Sequence, residues 1–220
     1  MQPKAIRGAI FDVDGTLLDS MYLWDRVGED YLQGKGIAPL PDMEERVRTM
    51  SMMQIAQYCQ QAYGMTEPAQ QIIDEINGMV LEKYRNEVQP KPGVKALLSM
   101  LREKGVALAV ATASDRCLIE EALERTGLLP YFDVFLTCSE VGAGKDSPAI
   151  FYTACKAMGT RSEETVLFED SLYSMKTAKK EGFLVAAVFD ESAAGETEEI
   201  QQLADWYVQT PEEWQWPFVG

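Results

Sequence analysis

The second half of the sequence alternates short apolar runs with helical segments, and this alternation restricts the fold more than any other feature. After a turn at residues 90–93, apolar runs of strand length are separated by segments with helical spacing, most of which end at glycine. The predicted strands are residues 106–111, 134–136, 165–168, 184–189 and 206–208. Strands that alternate with helices form a parallel sheet through right-handed crossovers. The sequence therefore predicts a doubly wound, Rossmann-like α/β fold.

The first part of the chain adds one strand and a long helical insertion. Residues 6–11 form an apolar run that predicts a buried strand. Three segments with helical spacing follow it: residues 21–32, 43–63 with an interruption near 49–52, and 67–87. Nothing between residues 19 and 88 has the pattern of a strand. We therefore expect a core domain of residues 1–18 and 90–220, and an all-helical domain of residues 19–89 inserted after the first strand.

The strong negative charge argues against two classes of partner. The 220-residue chain has a formal net charge of −15, whereas nucleic acids and anionic membranes attract basic surfaces. The sequence also contains no apolar run of membrane-spanning length, and its first residues lack the features of a signal peptide. We expect a cytoplasmic, monomeric protein that binds neither nucleic acid nor membranes.

Histidine is absent, and the four cysteines are scattered along the chain. The chain therefore cannot form Ser-His or Cys-His nucleophile pairs, and its cysteine spacing offers no structural zinc site. Scattered cysteines are typical of reduced thiols in a cytosolic protein. General acid and base catalysis must use carboxylates, lysine or tyrosine.

Charged and hydroxyl side chains stand where the predicted strands end or in the loops that follow. They are Asp12 and Asp14, Thr112, Lys145, and the pair Glu169 and Asp170. The carboxyl ends of parallel strands meet at one edge of the sheet, so these groups can converge in one crevice. Carboxylates suit Mg²⁺, lysine supplies positive charge, and a threonine hydroxyl can bind a phosphoryl oxygen. This combination is what phosphoryl transfer requires.

Four motifs in this order resemble those of the haloacid dehalogenase (HAD) superfamily. They are Asp12-Val13-Asp14-Gly15-Thr16, Thr112, Lys145 within Gly144-Lys145-Asp146-Ser147-Pro148, and Glu169-Asp170-Ser171. Their spacing resembles the subfamily of β-phosphoglucomutase-like and phosphoglycolate-phosphatase-like enzymes, in which a helical cap follows the first motif. The resemblance covers essentially the whole chain. It implies a Rossmann-like core with an inserted helical cap and an enzyme that acts on phosphate esters.

The resemblance also implies roles for individual residues. Asp12 would be the nucleophile that forms an aspartyl-phosphate, and Asp14 would be the general acid and base. Mg²⁺ would be bound by oxygens of Asp12 and Asp170 and by the backbone carbonyl of Asp14. Glu169 would reach the metal through water or support its ligands, and Lys145 would hold Asp12 and the phosphoryl oxygens. The residues expected to bind the phosphate or the rest of the substrate are Gly15, Trp24, Thr112, Ala113, Ser114 and Lys145.

The chain departs from the family pattern at several positions. In the third motif, Asp146 replaces a proline and Ala149 replaces an aspartate, and Ser174 stands near the usual glycine of the fourth motif. A carboxylate beside Lys145 could lower the local positive field. We expect none of these changes to abolish activity. The aspartate at position 14 favours phosphate chemistry, because the dehalogenases of the superfamily lack an aspartate at this place.

The helical domain distinguishes a phosphatase from a mutase. β-Phosphoglucomutases carry a histidine and a phosphate-binding arginine in the cap, whereas this chain has no histidine, and Arg46 and Arg48 are out of register. The cap face offers Met21, Trp24, Met50 and Met52 instead. We therefore expect a Mg²⁺-dependent phosphatase of a small phosphorylated metabolite, such as a sugar phosphate. The alternatives are a sugar-phosphate mutase and a non-catalytic regulatory protein that binds metal or phosphate.

Overall fold

A six-stranded parallel sheet forms the centre of the structure, a computed structural model that describes residues 5–47 and 50–215. The strands are β1 Gly8–Phe11, β2 Leu18–Asp19, β3 Gln89–Pro90, β4 Ala107–Thr112, β5 Val134–Thr137, β6 Thr165–Glu169, β7 Leu184–Val188 and β8 Trp206–Val208. Six of them form one sheet in the order β5-β4-β1-β6-β7-β8, and all neighbours are parallel. The predicted doubly wound α/β fold is confirmed, with the first strand at the centre.

Eleven α-helices are present in the described residues. They are α1 Met21–Trp24, α2 Val27–Gly34, α3 Met43–Val47, α4 Met52–Tyr63, α5 Ala69–Asn86, α6 Val94–Glu103, α7 Arg116–Arg125, α8 Cys138–Val141, α9 Ala149–Met158, α10 Leu172–Lys180 and α11 Thr197–Leu203. The short helices α8 and α11 were not predicted, and the predicted helix of residues 21–32 is divided into α1 and α2. None of the described helices is both long and apolar enough to cross a membrane.

Local capping explains two helix boundaries. Ser51 begins α4 as its N-cap: its hydroxyl accepts the Gln54 N–H at 3.4 Å, and the Gln54 side chain accepts the Ser51 N–H at 2.7 Å. This accounts for the predicted interruption, although residues 48 and 49 themselves, including Arg48, lie outside the described residues. Helix α9 begins at Ala149, directly after Pro148, and Ser147 Oγ accepts the Ala149 N–H at 3.4 Å.

Apolar side chains cover both faces of the sheet and also fill the helical block. On one face Phe11 and Phe168 stack with ring centroids 4.4 Å apart, and on the other Phe151 and Phe183 meet edge to face. A separate apolar cluster, which includes Ile72, lies among α2, α4 and α5. The strands were predictable because parallel strands buried on both faces have continuous apolar sequences.

A short antiparallel ribbon connects the helical block with the core. In β2 and β3, Leu18 lies opposite Pro90 and Asp19 lies opposite Gln89. The sequence did not predict this ribbon, because two-residue strands are too short to show a periodic pattern. Both predicted domain boundaries, after residues 18 and 89, fall within it. The division of the chain into two domains at these positions remains a proposal.

Helix α5 of the insertion packs against helix α7 of the core. Asn77 Nδ2 donates to Asp115 Oδ2 at 2.8 Å, and Arg85 Nη2 donates to Glu121 Oε1 at 3.0 Å. Near the end of α5, Arg125 donates to the carbonyl oxygen of Tyr84 at 3.1 Å. These contacts hold the last turns of α5 beside the carboxyl ends of β1 and β4.

Candidate active site

The carboxyl ends of β1 and β6 bring three buried carboxylates together. Asp12 follows β1, Glu169 ends β6, and Asp170 comes next in the chain. The two strands are neighbours with Phe11 opposite Phe168, which sets Asp12 beside Glu169. One oxygen from each of the three carboxylates lies within 4.8 Å of the other two. The structure thus brings together three of the four residues that the sequence predicts as metal ligands.

Lys145 reaches this cluster from the loop after α8. Its buried ammonium donates hydrogen bonds to Asp12 Oδ1 and to Glu169 Oε2, the second at 2.9 Å. Glu169 Oε1 also accepts the backbone N–H groups of Asp170 and Ser171, each at 3.2 Å. Lys145 therefore holds the Asp12 carboxylate in place, and Glu169 holds Lys145.

The departures from the family pattern have defined positions. Asp146 is exposed whereas Lys145 is buried, and the Asp146 carboxylate is not among the hydrogen-bond partners of that lysine. Ser174 is buried and donates to Glu169 Oε2 at 2.7 Å. The serine thus adds a hydrogen bond that a glycine could not make.

The buried charges are unbalanced in a way that suits a divalent cation. Burial, opposed mainly by Lys145, raises the pKa of Asp12 to about 8. Burial, together with the charges of Glu169 and Asp12, raises the pKa of Asp170 well above its usual range. Burial alone would lower the pKa of Lys145, but the same neighbouring carboxylates outweigh it and keep the lysine protonated. One ammonium cannot neutralise three carboxylates, and carboxylate oxygens are the ligands that hard dications prefer. The cluster therefore fits a divalent metal ion.

Gly15 allows the loop after β1 to pass close to Asp170. Its φ is +80°, and a Cβ atom there would lie 2.6 Å from Asp170 Oδ2. Thr16 Oγ1 donates to the other oxygen of this carboxylate at 3.1 Å. The Gly15 N–H donates to the Leu18 carbonyl at 2.9 Å. In this structure Gly15 provides space for a carboxylate, and its N–H is not free to bind a phosphate.

The segment after β4 differs from the prediction in one respect. Thr112, Ala113 and Ser114 all line the same cavity as Asp12. However, the Ser114 N–H donates to Thr112 Oγ1 at 3.1 Å, so in this conformation the backbone N–H of Ser114, a predicted phosphate-binding residue, is not free to bind a phosphate. The Thr112 hydroxyl accepts this bond and can still donate its proton to a ligand.

Asp14 lies next to the carboxylate cluster but has a separate set of partners. Its Oδ1 accepts hydrogen bonds from Ser20 Oγ at 2.6 Å and from Tyr84 OH at 2.5 Å, and its Oδ2 accepts one from Ser114 Oγ at 2.5 Å. Trp24 Nε1 donates to Tyr84 OH at 2.7 Å. The Asp14 carboxylate is thus surrounded by hydroxyl groups, whereas Asp12 and Glu169 of the carboxylate cluster are hydrogen-bonded to Lys145.

A cavity of about 590 Å³ lies between the sheet and the helical insertion. We define its core side as Asp12, Asp14, Thr112, Lys145, Glu169 and Asp170. We define its helical side as Met21, Trp24, Asp25, Val27, Glu29, Met43, Glu44, Val47, Met50, Met52, Ile55 and Ile76. The four residues predicted for the cap face are all on the helical side. Among the described residues, the helical side combines apolar groups with three acids and contains no lysine or arginine.

Comparison with known proteins agrees with this geometry. The sequence profile of the haloacid dehalogenase-like hydrolases matches residues 9–188. The chain belongs to this family.

Relatives of this HAD-like hydrolase include several phosphatases. It is 24% identical to the phosphorylated carbohydrates phosphatase of Thermotoga maritima, over 80% of this chain and 82% of the relative. It is 26% identical to the validoxylamine A 7'-phosphate phosphatase of Streptomyces hygroscopicus subsp. limoneus, over 96% and 97% of the two chains. The crystal structure of β-phosphoglucomutase from Clostridium difficile has the same fold, with a TM-score of 0.78, 18% identity and coverage of 96% and 94%. The predicted family and the predicted phosphatase activity are confirmed.

Sequence reasoning missed two residues of the site in this HAD-like hydrolase. Ser20 lies beyond the first motif, and its hydroxyl donates a hydrogen bond to Asp14. Tyr84 lies within the third predicted helical segment, residues 67–87, and its hydroxyl donates to the same carboxylate. A tyrosine on an apolar helical face resembles a core residue, and no local spacing relates residue 84 to residue 14. Only the packing of α5 against the core reveals this contact.

Proposed function

We propose that this HAD-like phosphatase hydrolyses a small phosphorylated metabolite, such as a sugar phosphate, with Mg²⁺ and through an aspartyl-phosphate on Asp12. The observation that carries the proposal is the buried Asp12 carboxylate, which Lys145 holds within a carboxylate cluster that fits a dication. Asp14 lies two residues further along the same loop, where it can serve the leaving group.

The described side chains suggest how the ion would be bound. Oxygens of Asp12 and Asp170 would bind Mg²⁺ together with the backbone carbonyl of Asp14, since hard oxygen donors suit this ion. Glu169 already accepts bonds from Lys145, Ser174 and two backbone N–H groups. Glu169 would therefore act mainly by holding Lys145 and by reaching the ion through water. When bound, the ion neutralises charge on the phosphoryl group.

The residues account for two chemical steps. In the first, a carboxylate oxygen of Asp12 attacks phosphorus, the ester P–O bond breaks, and protonated Asp14 gives its proton to the leaving alkoxide. In the second, ionised Asp14 takes a proton from water, which attacks phosphorus and breaks the bond to Asp12. Phosphate leaves, Asp12 is regenerated and Asp14 is again protonated. Lys145 and the Thr112 hydroxyl would bind phosphoryl oxygens during both steps.

The helical side of the cavity supports a substrate with a single phosphate. Lys145 is the only cationic side chain among the described residues that line this cavity, and it lies beside Asp12. A second phosphate on the substrate would face apolar groups and the acids Asp25, Glu29 and Glu44, which would repel it. The name of one relative, which refers to phosphorylated carbohydrates, agrees with a monophosphate of a neutral polyol. Cytoplasmic location and a monomeric state remain predictions.

A panel of phosphate esters tests this proposal. Purified protein should release inorganic phosphate from at least one sugar monophosphate in the presence of Mg²⁺ and should lose this activity in a chelator. Asp12→Asn should lower kcat by roughly 10⁴-fold or more, since it removes the nucleophile. If Asp12→Asn kept full activity, the proposed mechanism would be wrong. Conversion of one hexose phosphate isomer to another, dependent on a bisphosphate primer, would support the mutase instead. Failure to turn over any ester would favour the non-catalytic alternative.

A further inference from the structure

Tyr84 is a fully buried residue of α5 whose hydroxyl joins the helical insertion to Asp14. The phenol oxygen accepts a hydrogen bond from Trp24 Nε1 at 2.7 Å and lies 2.5 Å from Asp14 Oδ1. An indole N–H can only donate, so the direction of the first bond is fixed. The phenol proton is therefore directed at Asp14.

The bonds to Asp14 are distributed unequally between its two oxygens. Oδ1 accepts from Ser20 at 2.6 Å and from Tyr84, whereas the single donor to Oδ2 among the described residues is Ser114, at 2.5 Å. Two donors on Oδ1 fix the rotation of the carboxyl group and occupy that oxygen. Oδ2 is then the oxygen with capacity for a further partner, such as the leaving oxygen of an ester or the attacking water.

The donors come from different parts of the fold. Ser114 is in the core loop after β4, and Ser20 stands directly after β2 at the start of the insertion, whereas Trp24 and Tyr84 belong to helices α1 and α5 of the insertion. Helix α5 is docked on the core through the bond between Asn77 and Asp115 at 2.8 Å. The contact of Tyr84 with Asp14 therefore depends on the position of the insertion.

We propose that Tyr84, itself held by Trp24, is a positioning residue that orients Asp14 for proton transfer to the leaving group and from water. The inference rests on the proposed function, because it takes Asp14 as the general acid and base. It assigns a catalytic purpose to a tyrosine that would otherwise be considered a core residue. It also makes proton transfer dependent on the docked position of α1 and α5.

The variant Tyr84→Phe tests this role when two esters with different leaving groups are compared. p-Nitrophenolate leaves without protonation, whereas the alkoxide of benzyl phosphate needs a proton from Asp14. The parameter kcat/KM reports phosphoryl transfer to Asp12. We expect kcat/KM for benzyl phosphate to fall about 10- to 100-fold, as expected when a proton donor is misplaced. We expect kcat/KM for p-nitrophenyl phosphate to fall less than about threefold. The ratio of the two values is independent of the folded fraction of the protein.

Two reference variants make the result specific. Tyr31→Phe is the matched control, because Tyr31 is also a buried tyrosine of the insertion, bonds a carboxylate (Glu75, 2.8 Å) and does not line the cavity. It should leave the ratio unchanged. Asp14→Asn should change the ratio in the same direction as Tyr84→Phe and by more. Tyr84→Phe added to Asp14→Asn should then have no further effect on it.

The outcomes separate this inference from the proposed function. If Tyr84→Phe lowered kcat/KM equally for both esters, the ratio would be unchanged and the role of Tyr84 would be merely structural. A rise in kcat/KM for benzyl phosphate would also overturn the positioning role. If Asp14→Asn itself left the ratio unchanged, the assignment of Asp14 as the general acid would fail. If Asp14→Asn behaved as expected and Tyr84→Phe did not, only the inference about Tyr84 would fail.

Discussion

The two sides of the active-site cavity differ in residue composition and in burial. The core side consists mainly of charged groups, most of them almost completely buried, and Asp12, Lys145 and Glu169 hold one another through hydrogen bonds. The helical side consists of methionine, valine and isoleucine side chains with a few acids, and several of these residues are half-exposed. Charges on the core side interact in a medium of low dielectric constant, whereas charges on the helical side are screened by water.

This difference separates the reaction from the choice of substrate. The positions on the core side are fixed by strand ends and by several hydrogen bonds each, which suits a phosphoryl group that every substrate shares. Contacts on the helical side are mainly apolar and adaptable, particularly at Met21, Met50 and Met52. We therefore expect substitutions on the core side to affect all substrates strongly. Substitutions on the helical side should change the preference between substrates modestly.

Among the changes that leave the nucleophile Asp12 in place, removal of the cation from the core side should have the largest effect. Lys145→Met retains the side-chain volume but leaves Asp12 and Glu169 without their shared partner. We expect kcat/KM to fall about 10²- to 10³-fold for every ester, because an electrostatic contact with the phosphoryl group is lost. The free energy of unfolding should fall by about 3–5 kcal/mol, which is typical when one partner of a buried ion pair is removed. Steady-state kinetics and urea unfolding measure the two quantities.

The control for Lys145→Met is a lysine that pairs at the surface of the core. Lys179 lies 2.9 Å from Asp205, and both side chains are 29% exposed. Lys179→Met should change kcat/KM by less than about twofold and stability by less than about 1 kcal/mol. Similar losses of kcat/KM and stability in the two variants would contradict the expectation that the buried charges of the core side matter more than a surface ion pair.

The same contrast explains what the sequence could predict. The strands and the residues at their ends were predictable, because continuous apolar runs identify the strands and parallel topology brings their carboxyl ends together. Strand positions and parallel topology were enough to predict that Asp12, Lys145 and Asp170 lie close together. The contacts of Asp14 with Tyr84 and Trp24 depend on how an insertion folds back onto the core, and no local pattern encodes that geometry. The bond from the Ser114 N–H to Thr112 Oγ1 depends on a local turn conformation that residue types alone do not fix.

Removal of the metal should produce a pH-dependent loss of stability that arises on the core side. The pKa of Asp12 rises from 3.8 to about 8 in the folded protein, so the folded state binds the proton more tightly than the unfolded chain. This contribution to stability is complete below pH 3.8 and is lost as the pH rises towards 8. In a chelator, we expect the free energy of unfolding to fall by about 3–4 kcal/mol between pH 5 and 8. Urea unfolding at several pH values measures this slope.

Saturating Mg²⁺ should flatten the slope, because the ion binds the ionised carboxylates of the folded state. Asp12→Asn should make the slope shallower in the chelator, since it removes one of the groups responsible. A slope that Mg²⁺ does not alter would mean that the pH dependence arises elsewhere in the protein. A rise in stability with pH in the chelator would contradict the charge imbalance at the cluster.

The smallest effect is expected from a charge on the helical side. Glu29 lies in the first turn of α2 and lines the cavity, whereas its neighbour Asp30 does not line it and pairs with Arg26 at 3.8 Å. Competition with p-nitrophenyl phosphate gives inhibition constants for glucose 1-phosphate and glucuronate 1-phosphate, which differ by one carboxylate. The native protein should prefer glucose 1-phosphate. Glu29→Gln should narrow this preference about two- to fivefold, and Asp30→Asn should leave it unchanged.

High salt should remove most of the preference for glucose 1-phosphate, because screening weakens exposed charges. If Glu29→Gln weakened the binding of both sugars equally, Glu29 would act as a hydrogen-bond acceptor for sugar hydroxyls, and the helical side would select substrates by contact rather than by charge.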